Sequence, residues 1–305
     1  MSLPFLQPYF GLSYSLQTAQ ATTGGAGATR GVFGAGNVSG DVMDYITIAT
    51  PGNATSFGTL SYSRAIGGNG ASNGTRGVFG GSSTVMDYIT VATLSNATTF
   101  GNNTLAREWN VCCDDTTTRA VFGGGDLGPS VTNVMDYITI ATTGNAIDFG
   151  DLSVTRASPF CVSSTTRGVF CGGTTAVASV NTIDYITIAT TGNATDFGDL
   201  TVERMGGGGV DNLTRGVTLG GYGAGASSNV MDYITIATPG NATDFGDLTT
   251  TGYGNGAVDN KTRGVRAGGS GDSNVIDYIT IATTGNAIDF GDLTAGRFRP
   301  AGVDG

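Results

Sequence analysis

The chain spells one unit six times. Its centre reads VMDYITIAT and is followed by TGNATDFGDL. The Asp-Tyr pair recurs at Asp44/Tyr45, Asp87/Tyr88, Asp136/Tyr137, Asp184/Tyr185, Asp232/Tyr233 and Asp277/Tyr278. The steps between pairs are 43, 49, 48, 48 and 45 residues. A period of this size means one supersecondary unit stacked on copies of itself, since a single unit cannot bury its apolar face alone. The repeats occupy nearly all of the 305 residues, which gives one domain over 17–305 preceded by an N-terminal arm over 1–16.

Each unit divides into four short strands. Strand A opens with Arg, as in RAIGGNGAS. Strand B is TRGVFGG, strand C is VMDYITIAT and strand D is ATDFGDLT. In strand C of the second unit, Val85, Asp87, Ile89 and Val91 face one way, and Met86, Tyr88, Thr90 and Ala92 the other. Both faces are largely apolar, which suits a middle strand buried on both sides. A radial array of four-stranded sheets provides that environment and leaves only short edges. A linear stack needs polar capping repeats, and none is seen. Only 12% of residues are charged and 52 are glycine, as expected for short strands joined by tight turns. The turn from C to D carries Thr-Gly-Asn or Pro-Gly-Asn in five units and Leu94-Ser95-Asn96 in the second. Asn-Ala-Thr matches the glycosylation acceptor at Asn53, Asn96, Asn193 and Asn241, but turn chemistry is the preferred reading.

Charge narrows the function. The net charge is −10 and there is no basic tract, so nucleic-acid binding is not expected. No apolar run reaches membrane-spanning length, so no membrane insertion is expected either. The start MSLPFLQPYF lacks the basic segment of a secretory signal. Histidine is absent, which removes the commonest metal ligand and general base. No cofactor is predicted. Cys112, Cys113, Cys161 and Cys171 have no zinc-ligand spacing; Cys161 and Cys171 flank a predicted hairpin, and buried thiols are the preferred reading over a bridge.

The ionisable residues repeat with the unit. Arg30, Arg76, Arg119, Arg167, Arg215 and Arg263 open strand B, and Arg64, Arg107, Arg156, Arg204 and Arg297 follow strand D. Only Lys261, Arg266 and Arg299 stand outside this scheme. The six aspartates of the Asp-Tyr pairs lie within apolar strands, where a carboxylate must be paired or hydrogen-bonded. Six equal copies point to a structural bond, not to catalysis. The strand-B arginines form a ring that can bind anions, but tying adjacent blades together is the preferred reading. The acids Asp148/Asp151, Asp196/Asp199, Asp244/Asp247 and Asp289/Asp292 are calcium candidates, weakened by the lack of dense Asp-x-Asp-x-Asp spacing.

Several signals together resemble the kelch repeat. Strands end in two glycines at Gly80-Gly81, Gly123-Gly124, Gly172-Gly173, Gly220-Gly221 and Gly268-Gly269. A β-branched strand, an Asn turn, an aromatic residue and an Arg follow. Phe57, Phe100, Phe149, Phe197, Phe245 and Phe290 stand where that family usually carries Trp. The wording DYITIATTGNATDFGDLT is similar to kelch-like virion proteins of tailed bacteriophages, especially those of marine cyanobacteria. The resemblance covers about residues 10–304. It implies an all-β, six-bladed kelch-like β-propeller of four-stranded antiparallel blades, in a virion assembled in the host cytoplasm. The implied role is a non-enzymatic structural or tail-associated scaffold, with other virion proteins as partners and the N-terminal arm as a candidate contact to them. The alternative is a carbohydrate-binding adhesin or receptor-binding module with a host-surface glycan as its partner.

Length variation is confined to one connection. From each Asp-Tyr to the next strand-B Arg the interval is 31 or 32 residues, whereas from that Arg to its own Asp-Tyr it is 14, 11, 17, 17, 17 and 14. The variable B–C loops are 35–41, 81–84, 124–133, 173–181, 222–229 and 269–274; all emerge on one face of a disc, which is read either as the face that contacts the host surface or as an unconstrained one. Two segments compete to close the ring. The C-terminal RFRPAGVDG aligns with strand A, and Phe10 to Ser15 echoes the end of strand D. The apolar arm residues Phe5, Leu6, Tyr9, Phe10 and Leu12 suit docking on another protein or on the disc itself.

Overall fold

A computed structural model of the protein describes residues 28–36, 40–64, 68–128 and 130–305. The N-terminal arm lies outside these residues. Every element among them is a strand, turn or loop. Six antiparallel four-stranded units, A to D from the inside outward, are arranged about one axis. The C strands are Val42–Thr47, Val85–Thr90, Val134–Thr139, Thr182–Thr187, Ala226–Thr235 and Val275–Thr280. Their Met or Ile and Asp positions are buried, the Tyr is half-buried and the final Thr is exposed, as in Val85–Thr90. The A strands are Ala71–Ser72, Val111–Asp114, Phe160–Ser163, Gly208–Asp211, Gly256–Asp259 and Ala301–Asp304. They are shorter than the sequence suggests. Arg64, Arg107, Arg156, Arg204 and Arg297 precede them in the D–A connections instead of opening them.

The C-terminal segment closes the ring. Ala301–Asp304 runs antiparallel to Arg30–Gly34, with Val303 opposite Val32. Blade 1 therefore takes its innermost strand from the end of the chain and its other three from residues 30–59. The competing N-terminal segment lies outside the described residues.

The core is six wedges between neighbouring blades. One wedge joins Val111, Cys113, Val121 and Met135 of blade 3 to Cys161, Phe170, Ile186 and Ile188 of blade 4. Close approach fixes the glycine after the strand-B Arg. A Cβ at Gly216 or Gly264 would fall 2.4 Å or 2.5 Å from a methyl of Val162 or Val210 in the preceding blade. Blade 3 carries Ala120 at this position, and the facing residue in blade 2 is Ala71, smaller by two methyl groups than valine. The two changes compensate.

The cysteines depart from the expectation of four free thiols. Cys113 and Cys161 form a disulfide between the inner strands of blades 3 and 4, while Cys112 and Cys171 are buried and free. In the hairpin, Cys161 faces Phe170 and Cys171 faces Phe160, so Cys161 and Cys171 are offset by one register position. The B–C segment 222–229 also departs from a loop. Strands Arg215–Gly223 and Ala226–Thr235 extend into it and meet in a two-residue turn, Ala224 (φ 50) and Gly225 (φ 81). Positive φ at both central residues is the geometry that matches hairpin twist.

Antiparallel alternation puts all B–C and D–A connections on one face and all A–B and C–D turns on the other. The chain is thus a six-bladed β-propeller.

Candidate functional site

The repeated charges are spent on the ring. Asp87, Asp136, Asp184 and Asp232 bond Arg64, Arg107, Arg156 and Arg204 at 2.7, 3.1, 2.9 and 2.7 Å, and all eight side chains are fully buried. Asp44 bonds Arg297 in the same way across the chain's two ends. A Ser or Thr of the D–A connection completes each carboxylate, as Ser153 donates to Asp184 through its amide and hydroxyl. Burial pushes the Arg156 guanidinium below its ordinary value, and Asp184 pulls it back.

Blade 6 solves the same problem differently. Gly252 occupies the position of Arg204 and Arg156, so its connection offers no cation. Arg266 of strand B supplies it, directly opposite Asp277 in register and ion-paired with it at 3.2 Å. In blades 1 to 4 that strand-B position is Phe33, Phe79, Phe122 or Phe170, and in blade 5 it is Thr218. A Cβ on Gly252 would lie 3.1 Å from the Arg266 guanidinium. The cation therefore fills the space that the missing side chain leaves. Burial raises the Asp277 carboxyl, with Arg266 opposing.

The strand-B arginines bridge blades. Arg119 donates to the carbonyls of Ile188 and Ala189 in blade 4 and stacks 4.2 Å from the Tyr137 ring of its own blade. Arg263 donates to Ile48, joining blade 6 to blade 1. Arg30, Arg76, Arg167 and Arg215 reach the next blade likewise. At the periphery, the turn Asn of one blade accepts the strand-D amide of the previous one. Asn53, Asn96, Asn193 and Asn241 do so, from Asp292, Thr59, Asp151 and Asp199. The sequon asparagines are therefore built into blade packing.

The calcium candidates do not converge. Asp148, Asp196, Asp244 and Asp289 are exposed on the outermost strands, with Asp151, Asp199, Asp247 and Asp292 at their ends. Among the described residues no group of three or more His, Cys, Asp or Glu is placed to hold a metal ion.

Two constellations lie on the axis. At the turn face, Asp114, Asp211, Asp259 and Asp304 end the A strands of four blades, with Ser72 and Ser163 in the other two. The ring is bonded blade to blade: the amides of Ser72, Ser163, Asp211 and Asp259 donate to the carboxylates of Asp114, Asp211, Asp259 and Asp304. Lys261 bridges Asp211 at 2.9 Å and Asp259 at 3.1 Å. Burial pushes Asp114 and Asp259 up to about 7 and Asp304 up to about 6. Burial also disfavours the Lys261 ammonium, but the carboxylates of Asp211, Asp259 and Asp304 outweigh it and lift the group well above its ordinary value. These side chains line a cavity of about 50 Å³.

At the loop face, a second ring is made of backbone. The amides of Ser158, Gly206, Gly254 and Arg299 donate to the carbonyls of Trp109, Ser158, Gly206 and Gly254 in turn. All five residues are left-handed, with φ of 56 at Trp109, 51 at Ser158, 70 at Gly206, 65 at Gly254 and 64 at Arg299. Glycine adopts this conformation freely; a side chain there costs on the order of 1–2 kcal/mol. Blades 5 and 6 carry glycine, whereas blades 3 and 1 carry Trp and Arg. The Arg299 guanidinium lies 3.9 Å from the Trp109 ring and 4.5 Å from Phe298. Tyr253 packs edge-on against Phe298 at 5.0 Å and tilted against Tyr222 at 5.1 Å. Trp109, Ser158, Met205, Tyr253 and Arg299 border a cavity of about 20 Å³, which admits one water-sized group. Among the described residues Arg299 is the one arginine whose guanidinium has no hydrogen-bond acceptor; burial lowers its pKa, and Tyr253, Glu108 and Asp126 act on it through space. Sequence reasoning isolated Arg299, Arg266 and Lys261 as the cations outside the repeat but gave them no role. Their being outside the repeat was the available signal.

The fold and its sites define a six-bladed propeller with an acidic ring around Lys261 at one end of its axis and an unrepeated aromatic and cationic cluster at the other. A solved structure titled "Structure of YjhT" is similar to it, with a TM-score of 0.65 and 11% identity over 79% of this chain and 88% of that one. Solved chains that match number 583, so the likeness specifies architecture and not a task. No protein-family model matches the chain, and no curated protein matches its sequence.

Proposed function

We propose that this propeller is a kelch-like virion structural or tail-associated protein of a tailed phage. In this reading it acts without turnover and meets its surroundings through the loop face. The observation that carries this reading is the division of the polar chemistry. Each repeated Asp and Arg of the inner and middle strands is bonded within the ring, as the fully buried pairs Arg156–Asp184 and Arg204–Asp232 illustrate. Apart from Arg266, which fastens Asp277, the cations outside the repeat lie on the axis, and at the loop face Arg299 stands among aromatic side chains. A scaffold needs many equal fasteners and one distinctive surface. The virion assignment is supported by the wording of the repeat, DYITIATTGNATDFGDLT.

Mass spectrometry of purified phage particles tests the location, with the chain expected as a stoichiometric component. Its absence from particles that are otherwise complete contradicts the assignment. The second reading, a carbohydrate-binding module, is favoured by the aromatic and cationic cluster at the loop face.

A further inference from the structure

We propose that the axial cluster of Trp109, Tyr253, Phe298 and Arg299 is a saccharide site for a neutral sugar. The inference rests on the reading that the loop face is the contact face, and it names the ligand class.

Four observations carry it. First, the cluster holds the chain's single tryptophan and three further aromatic side chains that belong to no repeat: Tyr222, Tyr253 and Phe298. The other half-buried tyrosines that recur with the repeat are held in Tyr–Phe pairs beneath a stacked Arg, as Tyr137 is by Phe149 and Arg119. Second, Trp109 and Arg299 occupy left-handed ring positions where Gly206 and Gly254 show that glycine suffices. A large side chain held in a disfavoured conformation points to a use for that side chain. Third, the Arg299 guanidinium has donors to spare. Half-buried over Trp109, it holds a fixed fork that suits the paired hydroxyls of a sugar ring, while aromatic faces suit the ring's C–H surface. Fourth, the cavity of about 20 Å³ excludes a buried apolar ligand but admits a single hydroxyl.

Local charge selects a neutral sugar over an acidic one. Glu108 and Asp126 both act on Arg299, so two acids oppose one cation beside the site. An incoming carboxylate loses part of its attraction to Arg299 to those acids, whereas a neutral hydroxyl can accept from the Arg299 fork beside the Trp109 ring without that opposition.

Trp109 is the chain's own reporter, because no other tryptophan contributes to its fluorescence. The full chain is titrated with neutral gluco-, manno- and galacto-oligosaccharides and with the matching uronic-acid oligomers. At least one neutral oligosaccharide is expected to give a saturable change in Trp109 emission below about 10 mM, where weak single-sugar sites bind. The variant Arg299→Gly carries the glycine of blades 5 and 6, so it keeps the backbone ring. It is expected to melt at or above the wild-type temperature and to bind at least about tenfold more weakly. A response to uronic acids alone, no response to any saccharide, or unchanged binding by a folded Arg299→Gly variant each overturns the proposal. If emission is silent while adsorption of particles to cells is still lost on exchange of the B–C loops, the ligand class is wrong and the contact face stands. If emission responds but loop exchange leaves adsorption intact, the site stands and the contact-face reading fails.

Discussion

Asp277 is a buried carboxylate that found its cation in an unusual place. Blades 1 to 5 supply an Arg from the D–A connection, and blade 6 has Gly252 there and Arg266 across the strand pair. Removing one partner of a buried pair leaves a bare charge, which costs about 3–5 kcal/mol. Arg266→Phe alone is therefore expected to destabilise the protein by about that amount in urea unfolding. Adding Gly252→Arg rebuilds the arrangement of blades 1 to 4 and is expected to recover most of the loss. A double variant no better than Arg266→Phe refutes this account of blade 6. The need for a partner was legible in the sequence, since Asp277 sits in an apolar strand. The partner was not. Asp184 and Arg156 are 28 residues apart, and only the blade's register brings them together. Arg266 was visible as an exception to the repeat, but its function depends on the absence of a side chain at residue 252.

At the scale of the element, strand order was legible and strand ends were not. Periodicity located the C strands, because an apolar run has to be buried wherever it falls. It placed the A strands too early, because the connection preceding them is bonded to the carboxylate of strand C. Closure by Ala301–Asp304 was one of two open alternatives, since Phe10 to Ser15 also resembles a repeat fragment. Deleting residues 301–305 strips blade 1 of its inner strand and unpairs the amides and carbonyls of Arg30–Gly34 that face it, leaving those toward Val42–Thr47. Loss of a single cooperative melting transition is expected, and an unchanged melt contradicts closure by this strand. The disulfide was illegible for a similar reason. Cys113 and Cys161 are 48 residues apart and one register position out of step, since Cys113 pairs with Val121 where Val162 pairs with Val169, and only the contact of adjacent inner strands joins them. Alkylation of the unfolded, unreduced chain is expected to label two thiols, and reduction to expose four. Loop closure of this length stabilises by about 2–4 kcal/mol, so reduction is expected to lower the melting temperature. Four thiols labelled without reduction contradicts the pairing.

For the whole molecule, the two ends of the axis predict different behaviour. The acidic ring makes stability depend on pH. Asp114, Asp259 and Asp304 have folded-state values of about 7, 7 and 6, above the ordinary carboxylate value of 3.8. Between those limits the folded chain holds more protons than the unfolded one, so stability falls as pH rises. Lys261, lifted well above 10.5, stays charged throughout and contributes no slope in that window. Asp211 also faces the cavity and shares Lys261 with Asp259. The melting temperature is expected to drop from pH 5 to pH 8, and Asp304→Asn is expected to flatten that drop. A melting temperature that rises over this range contradicts the ring's assignment.

The loop-face end carries the central claim: unrepeated residues there serve contact, while repeated ones hold the ring. The most direct measurement is the melting temperature of Arg299→Gly. If Arg299 serves contact, glycine relieves the left-handed backbone and the melt rises, by about 2 °C for a stabilisation near 1 kcal/mol. A fall of several degrees shows that Arg299 is one more fastener of the fold, and the division between ring and site is wrong.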